Sequence, residues 1–319
     1  MPLTFAVTLL SRSTNDTGNR VQRHQLLERS QVRRRDFLTA AGTLGAATLA
    51  GVKPLAAGAL MFPRGRLKLS VSRWPYGKFT LDQLCRMSRE LGLDAIDLLE
   101  PDEWAVPRRY GLVCAMGYAT VPNPDTRLTD GFNRVENHSW LIPAYQKAIP
   151  LAAAAKVPNV ICFSGNRRGQ NDDEGREICA RGLAPLIPTA EQYGVTLCME
   201  LLNSKVDHPD YQCDHTAWGV ALAKRVNSPR FKLLYDIYHM QIMEGDVART
   251  VRDNINYIGH FHTGGVPGRH EIDHTQELDY HFVMKAIADA GFKGYVAQEF
   301  VPTKDPRKSL AEAVRICTV

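Results

Sequence analysis

Gly259-His260-Phe261-His262-Thr263-Gly264 closes an apolar, β-branched run and sets two histidines two residues apart, on one face of a strand. Three other runs carry an acid or a histidine inside otherwise apolar sequence: Leu197-Cys198-Met199-Glu200-Leu201-Leu202-Asn203, Leu234-Tyr235-Asp236-Ile237-Tyr238-His239 and Ala297-Gln298-Glu299-Phe300. The steps from Glu200 to Asp236, Asp236 to His262 and His262 to Glu299 are 36, 26 and 37 residues, each about one strand-plus-helix unit. Such spacing predicts neighbouring parallel strands with their chemistry gathered at one end. Strand-like runs fall at residues 67–74, 95–100, 112–119, 159–166, 196–203, 231–240, 255–264 and 294–300.

Helical patterns separate these runs. Thr80-x-x-Gln83 reads as a capping box, Leu81, Leu84, Cys85, Ser88 and Leu91 form one face, and Gly92 supplies the stop. Further helices are predicted over 214–226 and 278–290. Eight strands alternating with helices over residues 60–319 match an α/β fold of the (β/α)8 TIM-barrel type, a single domain that typically needs about 250 residues. A doubly wound open sheet is the competing architecture, but no glycine-rich phosphate fingerprint follows the first strand. The barrel is preferred.

Residues 1–59 read as a leader rather than as part of the fold. They hold eight Arg and Lys against three acids, which accounts for the whole net charge of +5 and leaves the body neutral. A neutral body provides no electrostatic footprint for nucleic acid. Arg34-Arg35-Asp36-Phe37-Leu38 leads into a small, mildly apolar run and then Ala57-Gly58-Ala59, a small-x-small cleavage pattern. The stretch resembles a twin-arginine export signal, which implies transient contact with the export machinery and a periplasmic or exported protein. A disordered extension, or a start codon assigned too far upstream, is the alternative, and either implies a cytoplasmic protein. The apolar run falls short of the ~20 residues a membrane span needs. The seven cysteines are odd in number and without a CxxC pair, so reduced core thiols are expected rather than disulfides or a zinc-thiolate site.

Burying several carboxylates in apolar strands needs a compensating cation or proton. Glu200, Asp236, His262 and Glu299 on consecutive strands would supply an oxygen-rich set for one divalent ion, suited to Mn²⁺, Mg²⁺ or Co²⁺, with Zn²⁺ as a further possibility. His262, nearer its strand's C-terminal end, is the better ligand; His260 lies deeper and suits a core role. His208, His215, His274 and His281 are expected to face solvent or bond locally, Lys205 to be exposed, and His270 and Glu271 to sit in a loop over the site.

Tyr235-Asp236-Ile237-Tyr238-His239-Met240-Gln241, Gly259-His260-Phe261-His262, Val266-Pro267-Gly268-Arg269-His270-Glu271 and Gly294-Tyr295-Val296-Ala297-Gln298-Glu299 together resemble the xylose-isomerase-like barrel superfamily. Within it, the chain is similar to hydroxypyruvate isomerases and ketose 3-epimerases. The resemblance implies Glu200, Asp236, His262 and Glu299 as metal ligands and His239 and Arg269 as substrate contacts. Glu200 and Glu299, on strands five and eight, would approach a bound substrate from different sectors of the ring and are the expected catalytic pair that moves a carbon-bound proton. The expected substrate is a small sugar or hydroxy-keto acid, with no nucleic acid and with a homo-oligomer possible. The leading expectation is isomerisation of the hydroxypyruvate to tartronate semialdehyde type. A ketose 3-epimerase or inosose dehydratase would use the same site, and a sugar-binding barrel is the non-enzyme alternative. An apurinic endonuclease shares the superfamily, but a neutral body argues against it.

Overall fold

The computed structural model describes residues 64–319. The expected leader over residues 1–59 lies outside the described residues. Eight parallel strands close into a barrel in sequence order: β1 (Lys68–Ser72), β2 (Ala95–Leu99), β3 (Val113–Gly117), β4 (Asn159–Cys162), β5 (Thr196–Glu200), β6 (Phe231–Asp236), β7 (Ile258–Thr263) and β8 (Tyr295–Gln298). Every predicted strand is present. β8 pairs with β1 to complete the ring, so the described sheet has no open edge, and strands buried on both faces explain the near-continuous apolar runs.

The helices outside the ring are α1 (Leu81–Glu90), α2 (Val135–Ala155), α3 (Asp172–Leu183), α4 (Ile187–Tyr193), α5 (Thr216–Val226), α6 (Ile237–Met243), α7 (Val247–Asn254), α8 (Tyr280–Asp289) and α9 (Pro306–Cys317). The capping box at Thr80 forms as read, with Thr80 Oγ1 accepting from Gln83 N and Gln83 Oε1 accepting from Thr80 N. Gly92 takes a φ of +87°, the left-handed position that lets the chain leave α1. Strand–helix alternation is not strict. Only a 3₁₀ turn, Val106–Tyr110, joins β2 to β3, because this linker is short and carries Pro107 at the turn's start.

Several strands are shorter than the apolar runs that announced them. β6 stops at Asp236, four residues before the run ends at Met240, because the Asp236 side chain caps the next helix. The seven cysteines are all free and buried. Among the described residues, no helix is long and apolar enough to cross a membrane.

Candidate active site

The C-terminal ends of β5 to β8 bring the four predicted acid and histidine residues together. Glu200 ends β5, Asp236 ends β6, His262 is the penultimate residue of β7, and Glu299 follows the last residue of β8. Register does the alignment: His262 pairs with Asp236 on one side and with Ala297 on the other. Glu299 N then donates to Thr263 O at 3.0 Å, which carries the chain one step past the ladder. All four side chains are buried, and each offers a ligand atom within 4.8 Å of the others.

His262 sits at the centre. Its Nδ1 is 2.8 Å from Glu299 Oε2 and 3.3 Å from Glu200 Oε1. Neither contact is aligned as a hydrogen bond, and both ring nitrogens are buried without a partner. Burial alone would hold this imidazole's pKa down, yet the surrounding carboxylates, Glu299 foremost, push it well above its ordinary value. Asp236 moves the other way: burial lifts its pKa to about 7 against the pull of Arg269. Glu299 is buried too, but His262 and Arg269 hold it well below the usual carboxylate range. Three clustered carboxylates beside a histidine with unbonded ring nitrogens fit a divalent cation, which would satisfy both the charge and the orphaned nitrogen. The oxygen-rich donor set agrees.

Arg269 and His239 complete the cluster. Arg269 Nη2 donates to Asp236 Oδ2 at 3.1 Å and to Glu299 Oε2 at 2.5 Å, and its guanidinium carbon is 5.3 Å from the centre of the Trp74 ring and 5.2 Å from that of Tyr238. His239 is not on a strand, as the apolar run implied, but in the first turn of α6. Asp236 Oδ1 accepts from His239 N at 3.2 Å, and this cap folds the imidazole back toward the cluster. Asn203 fixes the ring's chemistry. Its Oδ1 is committed to Val206 N and Asp207 N, so its Nδ2 faces His239 Nδ1 at 2.7 Å. Nδ1 therefore accepts and Nε2 carries the proton. Burial, reinforced by Arg269, keeps this imidazole neutral.

Residues 136–317 match the xylose isomerase-like TIM barrel family. The chain belongs to that family. A putative hydroxypyruvate isomerase of Drosophila melanogaster is 36% identical over 226 residues, covering 68% of this chain and 84% of the relative. The human protein of the same name is 26% identical over 244 residues, covering 75% and 80%. Among solved structures, an AP endonuclease family 2 protein from Brucella melitensis superposes with a TM-score of 0.69 at 22% identity, covering 78% of this chain and 99% of that one. Such a likeness speaks to the fold alone. Within the family, the chain groups with the isomerases.

Not every secondary expectation holds. Glu271 is buried away from the cluster, where it accepts from Thr303 N, Thr303 Oγ1, Lys304 N and Ser309 Oγ. It ties loops together rather than covering the site. His208 is half-buried and meets the His239 ring edge-on at 5.3 Å, closer to the chemistry than its loop position suggested. Lys205 is exposed, as expected, and donates to the last carbonyls of α6, Ile242 O and Met243 O. His215, His270, His274 and His281 are exposed, as expected of all but His270.

Three partners of the site escaped the reading of the last four strands. Trp74 Nε1 donates to Glu299 Oε1 at 2.7 Å, and Asn203 sets His239. Asp97, in the middle of β2, approaches His262 Nε2 at 3.6 Å. An acid at the centre of Ala95-Ile96-Asp97-Leu98-Leu99 carries the same signal as Asp236, so Asp97 was legible by the rule that found the others. Trp74 announced nothing of the kind.

Proposed function

We propose that the protein is a metal-dependent isomerase of a small hydroxy-carbonyl compound, with hydroxypyruvate to tartronate semialdehyde as the nominal reaction. The observation that carries this reading is the convergence of Glu200, Asp236, Glu299 and the unbonded His262 Nδ1 at one buried point. These four residues would hold one divalent cation, Mn²⁺, Mg²⁺ or Co²⁺ before Zn²⁺. When bound, the cation supplies Lewis-acid polarisation for a carbonyl and its adjacent hydroxyl, offsetting the negative charge that develops as a carbon-bound proton leaves.

The chain's own groups do the rest. Glu200 and Glu299 reach the point from strands three apart in the ring, so one takes the proton from the hydroxyl-bearing carbon and the other returns one to the former carbonyl carbon. As the hydroxyl proton passes from its own oxygen to the former carbonyl oxygen, hydroxyl and carbonyl exchange places with no net change in oxidation. Arg269 Nη1 lies 3.1 Å from His239 Nε2, a donor facing a donor once Asn203 has set the tautomer. An acceptor oxygen of the substrate that parts these two groups would satisfy both. The pair therefore favours a substrate bearing a carboxylate or carbonyl oxygen there.

The test uses the full chain loaded with Mg²⁺ and given hydroxypyruvate in deuterated water. The expected NMR result is tartronate semialdehyde carrying solvent deuterium on the former carbonyl carbon. Inversion at C3 of a ketose, without that product, would make the protein an epimerase. No hydrogen exchange with any hydroxy-carbonyl compound would reduce it to a binding barrel.

A further inference from the structure

Asp97 is fully buried in β2, an apolar strand, and among the described residues it meets no Lys or Arg. Its Oδ2 is 2.5 Å from His260 Nε2 and 3.6 Å from His262 Nε2, while Oδ1 has no hydrogen-bond partner. A lone carboxylate in such a place is expensive unless something requires it. The backbone around it is irregular as well. The β2–β3 register shifts on both sides of Asp97, and Leu98 holds a φ of +59°, a left-handed conformation that costs a leucine roughly 1–3 kcal/mol. Bulges of this kind re-aim side chains near functional sites.

His262 needs such a partner. Its Nδ1 faces Glu200 and Glu299, so Nδ1 is the nitrogen a cation would use. A ring nitrogen ligates only when unprotonated, which puts the imidazole proton on Nε2, and an Nε2–H sealed from water requires an acceptor. Asp97 Oδ2 stands on that side. The 3.6 Å separation is long for a hydrogen bond, and a ring shift of about half an ångström closes it. His260 holds the other side of the same oxygen.

We infer that Asp97 is a positioning residue that keeps a proton on His262 Nε2, so that Nδ1 is the atom presented to Glu200, Asp236, Glu299 and the cation they would hold. This rests on the metal-site reading above, and the experiment separates the two.

With ¹⁵N-histidine-labelled full-length protein, His262 Nε2 is expected to be of the N–H type both without metal and with Mg²⁺, only Nδ1 changing on loading. Finding Nε2 unprotonated in either state overturns the inference, and this measurement needs no variant. Calorimetry on Asp97→Asn is expected to give Mn²⁺ binding ~10–100-fold weaker than wild type, since an amide offers Nε2–H a poorer acceptor. His260→Gln, which leaves Asp97 in place, is expected to bind near the wild-type value. Equal loss in both variants would reduce Asp97 to a packing role, and two ions per chain would make it a ligand; either result overturns the inference. Failure of the wild-type protein to bind any divalent ion, with Nε2 still protonated, would instead sink the metal-site reading.

Discussion

Glu200 and Glu299 are the same residue type in different company. Trp74 and Arg269 both donate to Glu299, and His262 lies 2.8 Å away. Glu200 has His262 at 3.3 Å and is otherwise fixed through its backbone, Tyr211 Oη donating to Glu200 O at 3.0 Å. Both side chains are buried, and the proposed mechanism asks each to move one proton, Glu299 from oxygens that already accept hydrogen bonds. Glu200→Gln and Glu299→Gln should each lower turnover by about 10²–10⁴-fold, the range general acid–base groups contribute, with the circular dichroism of the folded protein retained. Near-normal activity in either variant would remove that glutamate from the mechanism. Glu299→Gln should additionally release Arg269 and weaken metal binding.

Elements place these groups by the way they stop. β6 gives way to α6 at Asp236, whose two oxygens divide their duties: Oδ1 caps the helix and Oδ2 faces Arg269. The apolar letters Ile237 to Met240 suit either strand or helix, and only the cap decides between them. Glu271 plays a comparable part between the loop after β7 and the start of α9, collecting donors from Thr303, Lys304 and Ser309. Burial would raise this carboxyl, but those hydrogen bonds hold its pKa at about 2, below its ordinary 4.5. Because the folded pKa is depressed, the stabilisation is fully present above about 4.5 and is lost as pH falls toward 2. Glu271→Gln should therefore cost about 1–3 kcal/mol at neutral pH and progressively less in acid, as measured by urea unfolding across that window. A constant difference from wild type at every pH would show that the charge is not what matters.

The whole molecule carries the cost of crowding three carboxylates at the mouth of a closed ring. Arg269 and His262 offset part of it through contacts with Glu299 and Asp236. A divalent ion at the same point should add stability by mass action, about 2.7 kcal/mol when its concentration is a hundred times its Kd. For a barrel of this size that corresponds to a rise in Tm of roughly 5–10 °C over chelator-treated protein. Calorimetric scans with EDTA and with Mn²⁺ measure it directly, and coincident transitions at saturating metal would count against the site. Replacing His262 with Ala should abolish the shift if the ion binds where these residues meet.

Much of this was written in one dimension. Strand number, chain-order adjacency, the capping box at Thr80 and the register of Glu200, Asp236, His262 and Glu299 follow from periodicity and from intervals of one βα unit. Those features are local, or repeat at a fixed step, so a linear pattern can carry them. Three-dimensional closure decided the remainder. Trp74 reaches Glu299 across 225 residues because β1 pairs with β8, and Asp97 meets His260 across 163 because β2 and β7 line one interior. Contacts of that kind leave no periodic trace: they exist only once the ring has shut, when side chains distant in sequence must share the same few cubic ångströms.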